Sequence, residues 1–176
     1  MADDDLQARI GQGRLGESAG RLALDRRAHF RAAAAGLAAQ ARREIAILSH
    51  DLDAPVYDQA GFIEAVKALA VGSRAARVRI LIRTNDRVQR EGHRLIELAR
   101  RLPTSIEIRR VNRDYTERTE EFLVVDEAGY IHRPHYIRHE GEADFHAPLQ
   151  ARQYREFFNT VWDLSEQDSE LRRLHI

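Results

Sequence analysis

The sequence predicts an α/β fold: a mixed β-sheet flanked by helices, laid out as βαβαβ followed by a β-hairpin and a C-terminal helix. Three observations predict it. A continuous apolar run at Ile45 to Leu48 has the character of a strand covered on both faces, and Val78 to Ile82 reads as a second buried strand. Around them, apolar residues recur at helical spacing, first as Phe62, Ile63, Val66, Leu69 and Ala70, then as Val88, Leu95, Ile96, Ala99 and Leu102. Finally, Asp126-Glu127-Ala128-Gly129 is a tight-turn sequence joining two short runs, Phe122 to Val125 and Tyr130 to Arg133.

Taken in order, residues 1–16 carry Asp3, Asp4, Asp5 and three glycines with few large apolar side chains. They read as a flexible leader that adds little to the core. A single domain is expected over 17–176. Glu17 to Arg43, with Phe30, Ala34, Leu37, Ala38 and Ala41 on one stripe, predicts one long helix. The first buried strand follows and ends in Ser49-His50-Asp51-Leu52-Asp53. The second amphipathic helix stops at Gly72, the second strand ends in Arg83-Thr84-Asn85-Asp86, and a third helix runs to Pro103. Ile106, Ile108 and Val111 mark a third strand, the hairpin comes next, and Tyr154, Phe157, Phe158, Val161 and Trp162 place a closing helix against the core.

Composition narrows the setting. With 43% apolar and 32% charged residues the chain matches a soluble globule, and with no cysteine it can form neither disulfides nor thiolate metal sites. No apolar run approaches the roughly 20 residues needed to cross a bilayer, and the acidic start is unlike a signal peptide, so the cytoplasm is the expected compartment and no membrane is expected. Net charge is zero but unevenly spread. Arg74 to Arg113 holds twelve arginines against four acids, whereas His139 to Glu170 holds eight acids against Arg152 and Arg155. Such segments either form a basic face for nucleic acid or neutralise one another on packing, and zero net charge with few interleaved aromatics favours the second.

Ligands of open α/β folds bind outside the C-terminal ends of strands, which singles out His50, Asp51 and Asp53 after the first strand and Arg83 and Asn85 after the second. Arg83 with Asn85 suits a carboxylate or phosphate. Simpler readings stand beside these: Asp53 as a turn or helix start, and Asn85 or Asp86 as a helix cap. His132, His135, His139 and His146, with Glu140, Glu142 and Asp144 among them, are the candidate metal ligands, although their spacing matches no ligand signature. There is no glycine-rich phosphate loop and no nucleophile elbow.

The order of elements from about residue 26 to residue 164 resembles one half of a phospholipase D-like protein. The segments that carry the resemblance are Ile45 to Leu48, Val78 to Arg83, Ser105 to Val111, Phe122 to Asp126 and the aromatic helix ending at Trp162. Active members carry His-x-Lys-x-x-x-x-Asp on the hairpin strand, with the histidine attacking phosphorus and the lysine holding phosphate oxygens. Laid on this chain, those positions are Thr119, Glu121 and Asp126, so only the aspartate matches. Lys67, the only lysine, lies in a helix with no histidine two residues before it. An unactivated threonine does not replace the imidazole nucleophile, and Glu121 sets a negative charge where a phosphate diester needs a cation.

The resemblance therefore implies a degenerate, non-catalytic copy acting as a binding or interaction module of a regulatory kind, with a small anion or a protein as partner and no cofactor. It also implies a homodimer, since single-copy members pair across a two-fold axis. Two alternatives remain open: a metal-dependent phosphoesterase using His50, Asp51 and the His132 to His146 stretch, and a nucleic-acid-binding domain using the arginines of 74–113.

Overall fold

The computed structural model describes residues 2–173; the last three residues of the expected 17–176 domain lie outside them. Helix α1 (Ala2–Gln12) leads into a short strand β1 (Leu22–Leu24) and helix α2 (Arg27–Ala39). Strand β2 (Glu44–Ser49), helices α3 (Ala54–Tyr57) and α4 (Ala60–Gly72) and strand β3 (Arg77–Ile82) complete a βαβ unit. Helices α5 (Asp86–Glu91) and α6 (Arg94–Arg101) precede β4 (Ile106–Arg110), and a 3-10 turn at Arg113–Tyr115 leads to the hairpin β5 (Glu121–Val125) and β6 (Gly129–Arg133). Strand β7 (Gly141–Asp144), helix α7 (Pro148–Leu164), strand β8 (Glu166–Gln167) and helix α8 (Ser169–Arg172) close the chain.

All eight strands join one sheet in the order β1-β7-β6-β5-β2-β3-β4-β8. Strands β2, β3 and β4 run parallel, and the remaining pairings are antiparallel, so the sheet is mixed, as expected. Side chains alternate across it. Ile45, Ile47, Ile80, Ile82, Leu123, Val125 and Ile131 face α2, α4 and α6 in the larger core. Ala46, Leu48, Leu81, Phe122, Val124 and Tyr130 face the aromatic stripe of α7 in the smaller one. A strand such as β2, buried on both sides, must be apolar throughout, which is why it reads as an unbroken run rather than an alternating one.

Several elements depart from expectation. The long helix over 17–43 is instead a strand followed by a helix: Gly16 (φ +81°) and Gly20 (φ +130°) take backbone angles no helix accepts, and Leu22 and Leu24 point inward while Ala23 is exposed. The helix ends at Ala39 because the Gln40 side chain turns back to donate to the Gly13 and Gly36 carbonyls and to accept from the Leu15 N–H.

That contact belongs to the segment expected to be a loose leader. Residues 2–12 are helical, Ile10 is 1% exposed, and Asp3 accepts from Arg26 and meets His29 Nε2 at 2.7 Å. Glycine at position 13 is a packing requirement, since a Cβ there would lie 2.6 Å from the Phe145 ring. The single third helix is two, broken at Gly92 (φ +74°), after which His93 caps α6 by accepting from the Leu95 N–H while its other nitrogen meets the Leu52 carbonyl. Part of the histidine-rich stretch, read as a loop beyond His132, is strand β7, paired on both sides.

Candidate functional site

The C-terminal ends of β2 and β3 and the start of β5 meet at one edge of the sheet, where the alternation of side chains sorts the polar groups into two layers. Glu121 and Arg133, directly opposite in the hairpin register, continue the row of Leu123 and Ile131 toward α2. His50 follows Leu48, Arg83 follows Leu81 and Glu120 precedes Phe122 by the same two-residue step, which sends all three toward the α7 face.

The first layer is saturated. Glu121, 5% exposed, accepts from the Ser49 hydroxyl at 2.9 Å and the His50 N–H at 2.7 Å, and its other oxygen lies 3.3 Å from Arg133 Nη1. Arg133 also reaches Asp53 at 3.3 Å, donates to the Arg138 carbonyl, and donates to His139 Nδ1 at 3.2 Å. Burial pushes the Glu121 carboxyl above its ordinary range, opposed by the His50 N–H, Arg133 and Ser49. Beside it the void between Phe30, Tyr57, Glu121 and Arg133 measures about 10 Å³, room for no more than a water. Glu121 and Asp53 thus serve an internal ion pair and do not face a ligand space.

The second layer is not saturated. Arg83 is 6% exposed, and its Nε and Nη1 are enclosed without a hydrogen-bond acceptor. Desolvation lowers its pKa, with Glu121 and Glu120 pulling the other way. The His50 ring lies flat against Tyr136, centroids 3.8 Å apart and planes 7° from parallel, with its Nδ1 enclosed and unpartnered. Desolvation lowers the His50 pKa too; Asp51 opposes this and Arg83 adds to it. Next to them Glu120 meets His132 Nε2 at 3.1 Å and accepts from Arg118 at 3.0 Å, and the His132 bond does most to hold the Glu120 carboxyl below its usual range. His132 stacks on Tyr154, and Arg118 lies over Phe157.

Other candidates go elsewhere. Asn85 is pulled away from Arg83: its amide donates to Asp168 at 3.0 Å and Glu170 at 2.7 Å, tying β3 to the C-terminal turn, and its side chain does not cap the following helix. Asp51 pairs with Arg87. The Thr119 hydroxyl donates to the Pro134 carbonyl. Asp126 sits at the opposite end of β5, where its carboxylate accepts the backbone N–H groups of Arg42, Arg43 and Glu44 at 2.7–2.8 Å and locks the start of β2.

The metal alternative loses its geometry. His132 points toward α7 and His139 binds Arg133, while His146 lies beyond β7 next to Ala147, which bonds the turn at Ala128 at the sheet's other end. Among the described residues no three His, Asp or Glu side chains are grouped to hold a metal ion. Many arginines of 74–113 are neutralised locally, Arg79 by Glu44, Arg87 by Asp51 and Glu91, Arg94 by Asp58, Arg100 by Glu97 and Arg109 by Glu107. Of the acidic segment, Glu170 reaches back to Arg110 at 3.9 Å.

Arg133, Glu120 and Tyr136 were not singled out by sequence. The hairpin register, once the turn is placed at Asp126, sets Arg133 opposite Glu121 and was the available signal. Nothing in the sequence marks Tyr136.

A mixed sheet with this strand order and with polar groups gathered at the β2, β3 and β5 edge defines the class: the fold is phospholipase D-like. Nuc from Salmonella typhimurium, a phospholipase D family member, superposes with TM-score 0.53 at 12% identity over 77% of this chain and 88% of its own. NucT from Helicobacter pylori gives 0.62 at 8% identity, covering 85% and 99%. TrmBL2, an archaeal chromatin protein with a novel mode of DNA binding, gives 0.62 at 16% identity over 84% of this chain, which spans only 53% of TrmBL2. No curated protein matches the sequence. The chain belongs to the family described as domain of unknown function DUF7931, which matches residues 26–174. No helix among the described residues is long and apolar enough to cross a membrane.

Proposed function

We propose that this domain is a non-catalytic, phospholipase D-like binding module that takes a small anion at Arg83 and His50. The observation that carries the reading is the Arg83 guanidinium. A buried cation with unpaired donors is costly, and a bound carboxylate or phosphate supplies the acceptors it lacks. His50 Nδ1, a third unpartnered nitrogen in the same layer, adds a donor in the neutral tautomer that carries its proton there.

The absence of phosphodiesterase chemistry rests on the hairpin positions. Thr119 spends its hydroxyl on Pro134 and Glu121 is held by Ser49, His50 and Arg133, so neither offers a nucleophile or a cation to a phosphate. Calorimetric titration with inorganic phosphate, sulfate and acetate tests the binding. Wild-type protein takes up at least one of these anions and Arg83→Met takes up none; equal binding by both removes Arg83 from the site. Hydrolysis of an activated phosphodiester above the buffer rate would overturn the non-catalytic assignment.

A further inference from the structure

No anion can touch Arg83 Nε or Nη1 while both atoms are shut off from solvent. Some part of the cover must move to admit one, and the segment between β6 and β7, which lays Tyr136 on His50, is held by few bonds. Its two ends are fixed. Arg133 is clamped between Glu121 and Asp53, and Gly141 passes so close to the His132 carbonyl and the Phe30 ring that no side chain fits there.

Between those ends the chain has few anchors. The Tyr136 N–H donates to the Thr119 carbonyl at 3.0 Å, the exposed Thr119 hydroxyl donates to Pro134, and a local turn joins Arg138 to His135. Arg133 Nε reaches the Arg138 carbonyl and its Nη2 the His139 ring at 3.2 Å, both near the fixed end at Arg133. Ile137, apolar and 74% exposed, contributes nothing to either core. The segment's one ring contact is Tyr136 on His50, and the Tyr136 phenol lies within electrostatic reach of Arg83.

We propose that residues 134–139 form a lid over the Arg83 site, in which Tyr136 lifts from His50 to admit a small anion and closes behind it. This rests on the anion-binding reading above. A minor conformer commonly makes up about 0.1–10% of an ensemble. With the lid open about 1% of the time, uptake and release of the anion both wait for opening and are slowed about a hundredfold relative to an open site.

The test is exchange of inorganic phosphate followed by phosphorus NMR on wild-type protein, Tyr136→Ala and Tyr136→Phe. The lid predicts exchange at least about tenfold faster in Tyr136→Ala, and wild-type behaviour in Tyr136→Phe, which keeps the stacking ring. Equal exchange rates in wild-type and Tyr136→Ala overturn the lid and leave anion binding standing. Failure of both to bind phosphate, acetate and sulfate overturns the anion reading and the lid with it. A second measurement needs no ligand: amide hydrogen exchange at Tyr136 is much faster than at Leu123 or Ile131, and equally slow exchange at all three also overturns the lid.

Discussion

The two polar layers at the same edge of the sheet are separated only by its thickness, yet they handle buried charge in opposite ways. Toward α2, Arg133 sits between Glu121 and Asp53, and each carboxylate has a partner. Toward α7, Arg83 is as deeply enclosed as Arg133, 6% exposed against 5%, but two of its nitrogens meet no acceptor. In the first layer every charge is matched within the chain; in the second, the proposed anion would supply the acceptors that Arg83 lacks. Within the first layer Glu121 and Arg133 stand opposite one another in the hairpin register and balance each other's charge.

The comparison is broken most forcefully at Arg133. Arg133→Met leaves Glu121 and Asp53 buried without their common partner, and chemical denaturation is expected to show a loss of about 3–5 kcal/mol. The same change at Arg83 goes the other way. Arg83→Met keeps the packed stem and removes an unmatched charge, so ligand-free stability should rise by about 1–3 kcal/mol. If Arg83→Met is as damaging as Arg133→Met, the two layers are not different in kind.

The smallest effect is on pH dependence. His50 and His93 have folded pKa values depressed by desolvation, so the stability they contribute is present above their ordinary value of about 6.5 and is lost as pH falls toward the folded values. Glu121 is raised, so its contribution is present below its ordinary value of about 4.5 and is lost as pH climbs through the folded one. Each group adds a slope of at most about 1.4 kcal/mol per pH unit. Denaturation midpoints of His93→Asn, whose side chain can still cap α6, should flatten below pH 6.5 relative to wild type, while the trend above pH 6.5 stays.

Strands β2 and β3 were legible because a stretch buried on both faces is driven to be apolar, as Ile45 to Leu48 and Ile80 to Ile82 are. Strands β1 and β7 were not, since the first is three residues long and the second is Gly-Glu-Ala-Asp, a sequence that owes its conformation to its neighbours. Gly92 marked the break between α5 and α6 but looked like one small residue on an amphipathic face. At the site, the rule that strand ends carry ligands pointed at His50 and Arg83 together with Asp53 and Asn85, and could not separate them. Asp53 is claimed by Arg133, 80 residues away in sequence, and Asn85 by Asp168 and Glu170, 83 and 85 residues away. Such claims are settled by the tertiary fold, and local pattern carries no trace of them. Thr119 and Glu121 likewise gave their identities but not their surroundings.

The first helix and strand have a bearing on how this domain can be trimmed. They precede residue 26, where the family match begins, yet β1 covers the free side of β7 and Ile10 shields Phe145 and Leu37. A chain started at the family boundary would carry an open row of backbone donors and acceptors beside exposed aromatic surface, the arrangement by which sheets recruit foreign strands. The segment before residue 26 thus guards this side of the sheet against self-association, and a version lacking it is expected to precipitate more readily than one that keeps it.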